Sequence, residues 1–134
     1  LPYFDGWRKF KDEQRAHRIT AAEEPIYSPT YRYGCTPDIW GATGAGDWFV
    51  TEIKSTTTIH PAVALQTAAQ RQALAESFPD KVASTRFLRA RRFALQLRPN
   101  GSYKLHEFTQ RDDFAQFLAL LSTYRWKQRN NLNR

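Results

Sequence analysis

The run Trp48-Phe49-Val50-Thr51-Glu52-Ile53-Lys54 constrains this chain more than any other segment. It is apolar and β-branched enough to be a central strand, yet it carries a carboxylate and an ammonium two positions apart. Strand side chains alternate between faces, so Glu52 and Lys54 share one face. A carboxylate on a central strand is costly to bury unless it is paired or bound to a cation. Thirteen residues separate Glu52 from Asp38, in Thr36-Pro37-Asp38-Ile39-Trp40-Gly41, and Gly44-Ala45-Gly46 offers a turn between the two segments. The spacing predicts an antiparallel hairpin, Tyr31 to Trp40 against Asp47 to Lys54, that brings Asp38 beside Glu52 and Lys54. Two carboxylates that close repel, and a shared proton or a divalent cation relieves the repulsion. Two acids on a cation with a lysine alongside suit phosphodiester hydrolysis.

The periodicities elsewhere predict an αβββαββα order. Tyr3, Phe4, Trp7 and Phe10 have helical spacing, giving a first helix that ends near His17 or Arg18. Glu24 to Ser28 reads as a short strand that Pro25 places at an edge or a start. Pro61 suits the opening of a helix that Pro79-Asp80 stops after Phe78. Arg91 to Arg98 alternates as a strand, Asn100-Gly101 is a hairpin turn, and the chain returns over Ser102 to Glu107. Thr109 to Asp112 has the outline of a capping box, opening a helix with Phe114, Phe117, Leu118, Leu121 and Tyr124 on one stripe. One domain over 1–134 is expected, with a tail at 129–134.

Charge is unevenly spread. Residues 1–80 carry 8 Lys+Arg against 10 Asp+Glu, whereas residues 81–134 carry 12 against 3. A basic half following an acidic constellation points to a polyanion partner, DNA; Arg86, Arg89, Arg91, Arg92 and Arg98 crowd one short stretch, and the first four are the expected nucleic-acid contacts. The lone Cys35 excludes an internal disulfide framework and points to a reducing compartment. No apolar run reaches the roughly 20 residues of a membrane span, and no signal-peptide pattern opens the chain. The chain holds no Met, even at position 1, so a trimmed N-terminus is expected. His17, His60 and His106 have no metal-ligand spacing, and no glycine motif for a nucleotide cofactor is present.

The segments Gly34-Cys35-Thr36-Pro37-Asp38, Glu52-Ile53-Lys54-Ser55 and Gln66-Thr67-Ala68-Ala69-Gln70 together resemble the PD-(D/E)XK nucleases, in particular the RecB-like and lambda-exonuclease-like branch and its small phage-encoded members. The resemblance covers about residues 20 to 80. It implies a restriction-endonuclease-like αβββαβ core: an α/β fold with a mixed sheet flanked by helices, here followed by a C-terminal hairpin strand and helix. It implies a metal-dependent deoxyribonuclease of phage or bacterial DNA recombination, repair or processing, leaving 5′-phosphates. For a phage-encoded chain the reducing compartment would be the cytoplasm of a bacterial host. Mg²⁺ or Mn²⁺ would sit on Asp38, Glu52 and the Ile53 carbonyl, with Glu23 preferred to Glu24 as a further ligand. Lys54 would act on the attacking water or the developing charge, and Gln66 takes the position of the family's glutamine. The family often has Tyr where this chain has Gln70. Some relatives carry an iron–sulfur cluster on four cysteines, which one cysteine cannot build. The alternative from another class is a DNA-binding recombination accessory module that keeps the fold without catalysis.

Overall fold

The computed structural model describes residues 2–14, 18–44 and 46–132. Helix α1 (Pro2–Glu13) leads into strands β1 (Arg18–Ala22), β2 (Ile26–Ser28), β3 (Tyr33–Cys35), β4 (Ile39–Ala42) and β5 (Trp48–Lys54). Helices α2 (Ala62–Ser77) and α3 (Lys81–Phe87) follow, then β6 (Arg91–Leu97), β7 (Tyr103–Phe108) and α4 (Asp113–Arg129). Five strands form one mixed sheet in the order β1-β4-β5-β6-β7, while β2 and β3 pair as a separate ribbon. Among the described residues only β5 and β6 run parallel. A parallel neighbour needs a crossover, and α2 with α3 supplies it. The α/β class with a helix-flanked mixed sheet is as the sequence predicts. Among the described residues no helix is long and apolar enough to cross a membrane.

The sheet is covered on both faces. On one, Phe10 of α1 packs with Ile39, Phe49, Phe93, Leu95 and Leu97, and Trp7 closes the side. On the other, Val50 lies with Leu74, Ala75, Phe87 and Ala90, bordered by Trp40, Trp48 and Phe78. A third cluster joins Tyr33, Ala69 and Ala73 to Phe114, Phe117 and Leu121, so α4 lies over the outer side of α2. Helix α2 is thus enclosed on two sides. Its many alanines let the sheet, the β2–β3 ribbon and α4 approach it together, and an apolar surface all round is what such a helix needs.

Three departures from the expected order have physical causes. The first helix ends at Glu13, and Arg18 opens a strand instead; His17 lies outside the described residues. Strand β1 is an edge with almost no buried position, so it leaves no alternating apolar signal. It closes on Gly41, where an added Cβ would stand 1.7 Å from the Arg18 carbonyl oxygen. The expected strand Tyr31 to Trp40 is broken at Thr36-Pro37 into β3 and β4, which belong to different sheets. Proline has no N–H for a ladder, so the break falls there. Finally, α4 opens at Asp113 with no side-chain bond from its cap residue Asp112, and not from a box at Thr109. The short helix α3 also goes beyond the expected order; Asp80, read as a stop for α2, caps it by accepting from the Val82 and Ala83 amides.

The turn signals hold. Gly46 and Gly101 take φ of 87° and 82°, conformations open to glycine and strained for other residues. Helix α2 begins just after Pro61 and ends before Phe78.

Candidate active site

Strand β5 aims Trp48, Val50, Glu52 and Lys54 toward α2. Trp48 and Val50 enter the apolar cluster there. Glu52 follows them and is only 8% exposed. The antiparallel ladder between β4 and β5 ends at Ile39↔Thr51. Asp38 therefore stands just past the last pair, and its Oδ2 accepts the Ile53 amide at 2.6 Å. In a strand, the N–H and C=O of one residue point to the same side. The Ile53 carbonyl is thereby directed to the edge where Asp38 sits. With the ladder ended here, the Asp38 carboxylate takes the Ile53 N–H that a further strand residue would otherwise have met.

Glu52 shows the strain of this placement. Its carboxyl is pushed up from 4.5 to about 7, first by burial and then by hydrogen bonding to Asp38 and the charge of Asp38. A hydrogen bond from Gln70 and the nearby charge of Lys54 oppose the rise. Gln70 Nε2 donates to Glu52 Oε2 at 2.7 Å. The other amide atom, Gln70 Oε1, is buried without a hydrogen-bond partner among the described residues. Two adjoining carboxylates, a main-chain carbonyl directed toward them and an unsatisfied amide oxygen form an all-oxygen set. A hard divalent cation such as Mg²⁺ or Mn²⁺ suits such donors.

A cleft of about 320 Å³ opens over Glu52 and Gln70, with Tyr33, Cys35 and Gln66 among its other lining residues. Tyr33 fixes its wall by donating from its hydroxyl to the Ala69 carbonyl at 2.6 Å. The Cys35 thiol is pushed up to about 12 by burial and by the charge of Glu52. It stays protonated at neutral pH and lines the wall rather than acting as a nucleophile. Gln66 is exposed on the cleft rim, whereas Gln70, one turn on, reaches Glu52. Sequence reasoning centred on Gln66; the Gln70 contact was signalled only by the i,i+4 pairing of the two.

The two expected candidates for a further ligand adjoin the Asp38 segment from the β1–β2 link. Glu23 and Glu24 are exposed in the link between β1 and β2, so the rule that neighbours on a strand face opposite ways does not apply to them. Glu23 has a left-handed φ of 53°, and its amide donates to the carbonyls of Pro37 and Asp38 at 3.2 and 3.0 Å. Its backbone thus braces the Asp38 segment. Among the described residues, no third His, Cys, Asp or Glu extends the acid pair into a group of three.

The four arginines divide. Arg92 is 2% exposed, and its guanidinium meets Asp113 at 2.9 Å, the Gln110 carbonyl at 3.0 Å and the Ala64 carbonyl at 2.8 Å. It ties β6 to α2 and α4 from inside, which corrects its expected place on an outer basic surface. Arg91 is exposed but held in a two-pronged pair with Glu107, at 2.8 Å for each bond. Arg86 and Arg89 are exposed around a separate cleft with Asp47 and Trp48. That cleft is at the start of β5, about 13 Å along the strand from Glu52 at ~3.3 Å per residue.

No known family model matches the chain, and no curated protein is significantly similar to it.

Proposed function

We propose that this chain is a Mg²⁺- or Mn²⁺-dependent deoxyribonuclease that hydrolyses DNA phosphodiester bonds. The observation that carries the reading is the contact of Asp38 with both Glu52 and the Ile53 backbone, just past the last pair of the β4–β5 ladder. Packing alone gives no reason for two carboxylates to meet there, and burial together with the neighbouring Asp38 raises the Glu52 pKa at a cost in stability. The sequence resemblance to the PD-(D/E)XK nucleases rests on the same residues.

Asp38, Glu52 and the Ile53 carbonyl would hold the cation. When bound, it supplies Lewis-acid polarisation of a phosphate oxygen and a water acidic enough to attack phosphorus. The protein groups do the rest. Asp38 is oriented by the Ile53 amide, and Glu52 by Gln70, so neither carboxylate must reorganise on binding. Lys54 shares the face of Glu52, two positions along β5, where its ammonium stabilises negative charge developing on the phosphoryl group. Gln66 on the rim offers an amide to the incoming strand.

The test is incubation of labelled linear duplex, circular and single-stranded DNA, with an RNA arm, in Mg²⁺, Mn²⁺ or EDTA. Cleavage that needs the cation and is lost in Asp38→Ala and Lys54→Ala supports the reading. DNA binding with no cleavage under any cation would make the chain an accessory binding module instead.

A further inference from the structure

A cavity of about 610 Å³ lies beside the candidate site. Its walls include Thr56, Thr57, Thr58, Arg98, Lys104 and His106, and no carboxylate lines it. Register fixes where it is. Across the sheet, Lys54 aligns with Gln96, and Gln96 with Lys104. One rung back, Glu52 aligns with Ala94, and Ala94 with His106. Paired residues share a face, so the groove continues the row of Glu52 and Lys54 two strands along the same side of the sheet. Strands ~4.8 Å apart put the backbones of Lys54 and Lys104 about 10 Å from each other.

The groove is built, not a gap between loops. Gln96 is buried at its floor, and its Nε2 donates to the carbonyls of Thr56 and Thr57 at 3.0 and 2.8 Å. Both amide hydrogens are then committed, so Gln96 Oε1 must accept, and His106 Nε2 lies 3.0 Å from it. His106 therefore carries its proton on Nε2. The relay holds the threonine loop, which leaves β5 directly after the candidate catalytic residues. The Thr56 hydroxyl turns inward to the Thr58 carbonyl. Among the described residues no carboxylate forms an ion pair with Arg98 or Lys104. Two unneutralised cations beside hydroxyls, with no acid in the lining, suit an anion whose charge repeats along a chain.

We infer that this groove is a nucleic-acid backbone site, in which Arg98, Lys104 and the hydroxyls of Thr57 and Thr58 hold phosphates of the substrate strand adjoining the one presented to Asp38 and Glu52. This rests on the nuclease reading for its direction, but not for its chemistry. It moves the track from the arginines at the start of β5 to the opposite end of that strand.

The experiment is fluorescence anisotropy of a labelled oligonucleotide in EDTA, which separates binding from cleavage. The proteins are the wild type, Arg98→Ala/Lys104→Ala and Arg86→Ala/Arg89→Ala, each checked for an unchanged thermal midpoint. The groove variant should bind about tenfold more weakly or worse at ~0.1 M salt, with a log–log salt slope shallower by about two. Wild-type affinity in the groove variant, or a loss confined to Arg86→Ala/Arg89→Ala, overturns the proposal. Equal competition by polyglutamate of matched charge overturns its nucleic-acid assignment. A parallel Mg²⁺ cleavage assay keeps the two claims apart. Groove-dependent binding without cleavage removes the nuclease reading alone, and cleavage undisturbed in a groove variant that binds normally removes the groove alone.

Discussion

Replacing Glu52 with Gln should stabilise the metal-free protein, and only at neutral to alkaline pH. The Glu52 carboxyl is raised from 4.5 to about 7 in the folded state. Between those values the native protein keeps a proton that the unfolded chain releases, so stability from this group is full below about pH 4.5 and is lost as pH rises through 7. At 1.36 kcal/mol per pH unit, the upper limit of that loss is about 3 kcal/mol. The open cleft admits solvent that screens the charges, and about 1–2 kcal/mol is the expected size. Gln mimics the protonated acid. Glu52→Gln should therefore match the wild type in urea melts at pH 5 in EDTA, and exceed it by about 1–2 kcal/mol at pH 8. Adding Mg²⁺ at pH 8 should raise the wild type, because a ligand that binds only the native state stabilises it, and should leave the variant almost unmoved. A variant weakened equally at both pH values would refute the reasoning, since Glu52 would then be a satisfied structural group.

Four further outcomes follow from the same geometry. Arg92→Met leaves the Asp113 carboxylate buried and unpaired and should cost about 3–5 kcal/mol in urea unfolding, while an exposed arginine would cost almost nothing. Gly41→Ala drives a methyl group into the Arg18 carbonyl and should cost about 3 kcal/mol or more, with loss of amide-exchange protection along β1. Mn²⁺ affinity should strengthen by close to tenfold per pH unit up to about pH 7 and then level off, because the cation displaces one proton from Glu52. Cys35, with its thiol pushed up from 9.0 to about 12, should hold roughly 1,000-fold less thiolate at pH 8 than in urea and react with a thiol reagent far more slowly.

What could be read from the sequence follows the strength of local signals. Strand β5 announced itself because apolar β-branched residues on both faces leave few alternatives, and its two charged side chains then had to have a purpose. Proline and glycine marked the ends of α2 and the β6–β7 turn, since their backbone limits act without tertiary help. Strand β1 was illegible because its pairing depends on Gly41 admitting the backbone of Arg18, a contact that no periodicity reports. The Asp38–Glu52 meeting was readable from spacing, but Gln70 was undervalued against Gln66. A helix packed on two sides carries no single stripe to say which glutamine faces in. Charge counts could not show that Arg92 is an internal strut, because its partner Asp113 is 21 residues away and is brought to it by α4. The same counting took in Arg98 but did not single out Lys104, and only the β5–β6–β7 register brings the two beside the site.

Calorimetric titration of Mn²⁺ into the metal-free protein, and into Asp38→Asn and Glu52→Gln, tests the central claim most directly. The account predicts a wild-type site whose binding is lost or weakened by at least about tenfold in each variant, although both remain folded. Wild-type affinity in either variant would contradict it, because the two carboxylates would then meet in this cleft for a reason other than a cation.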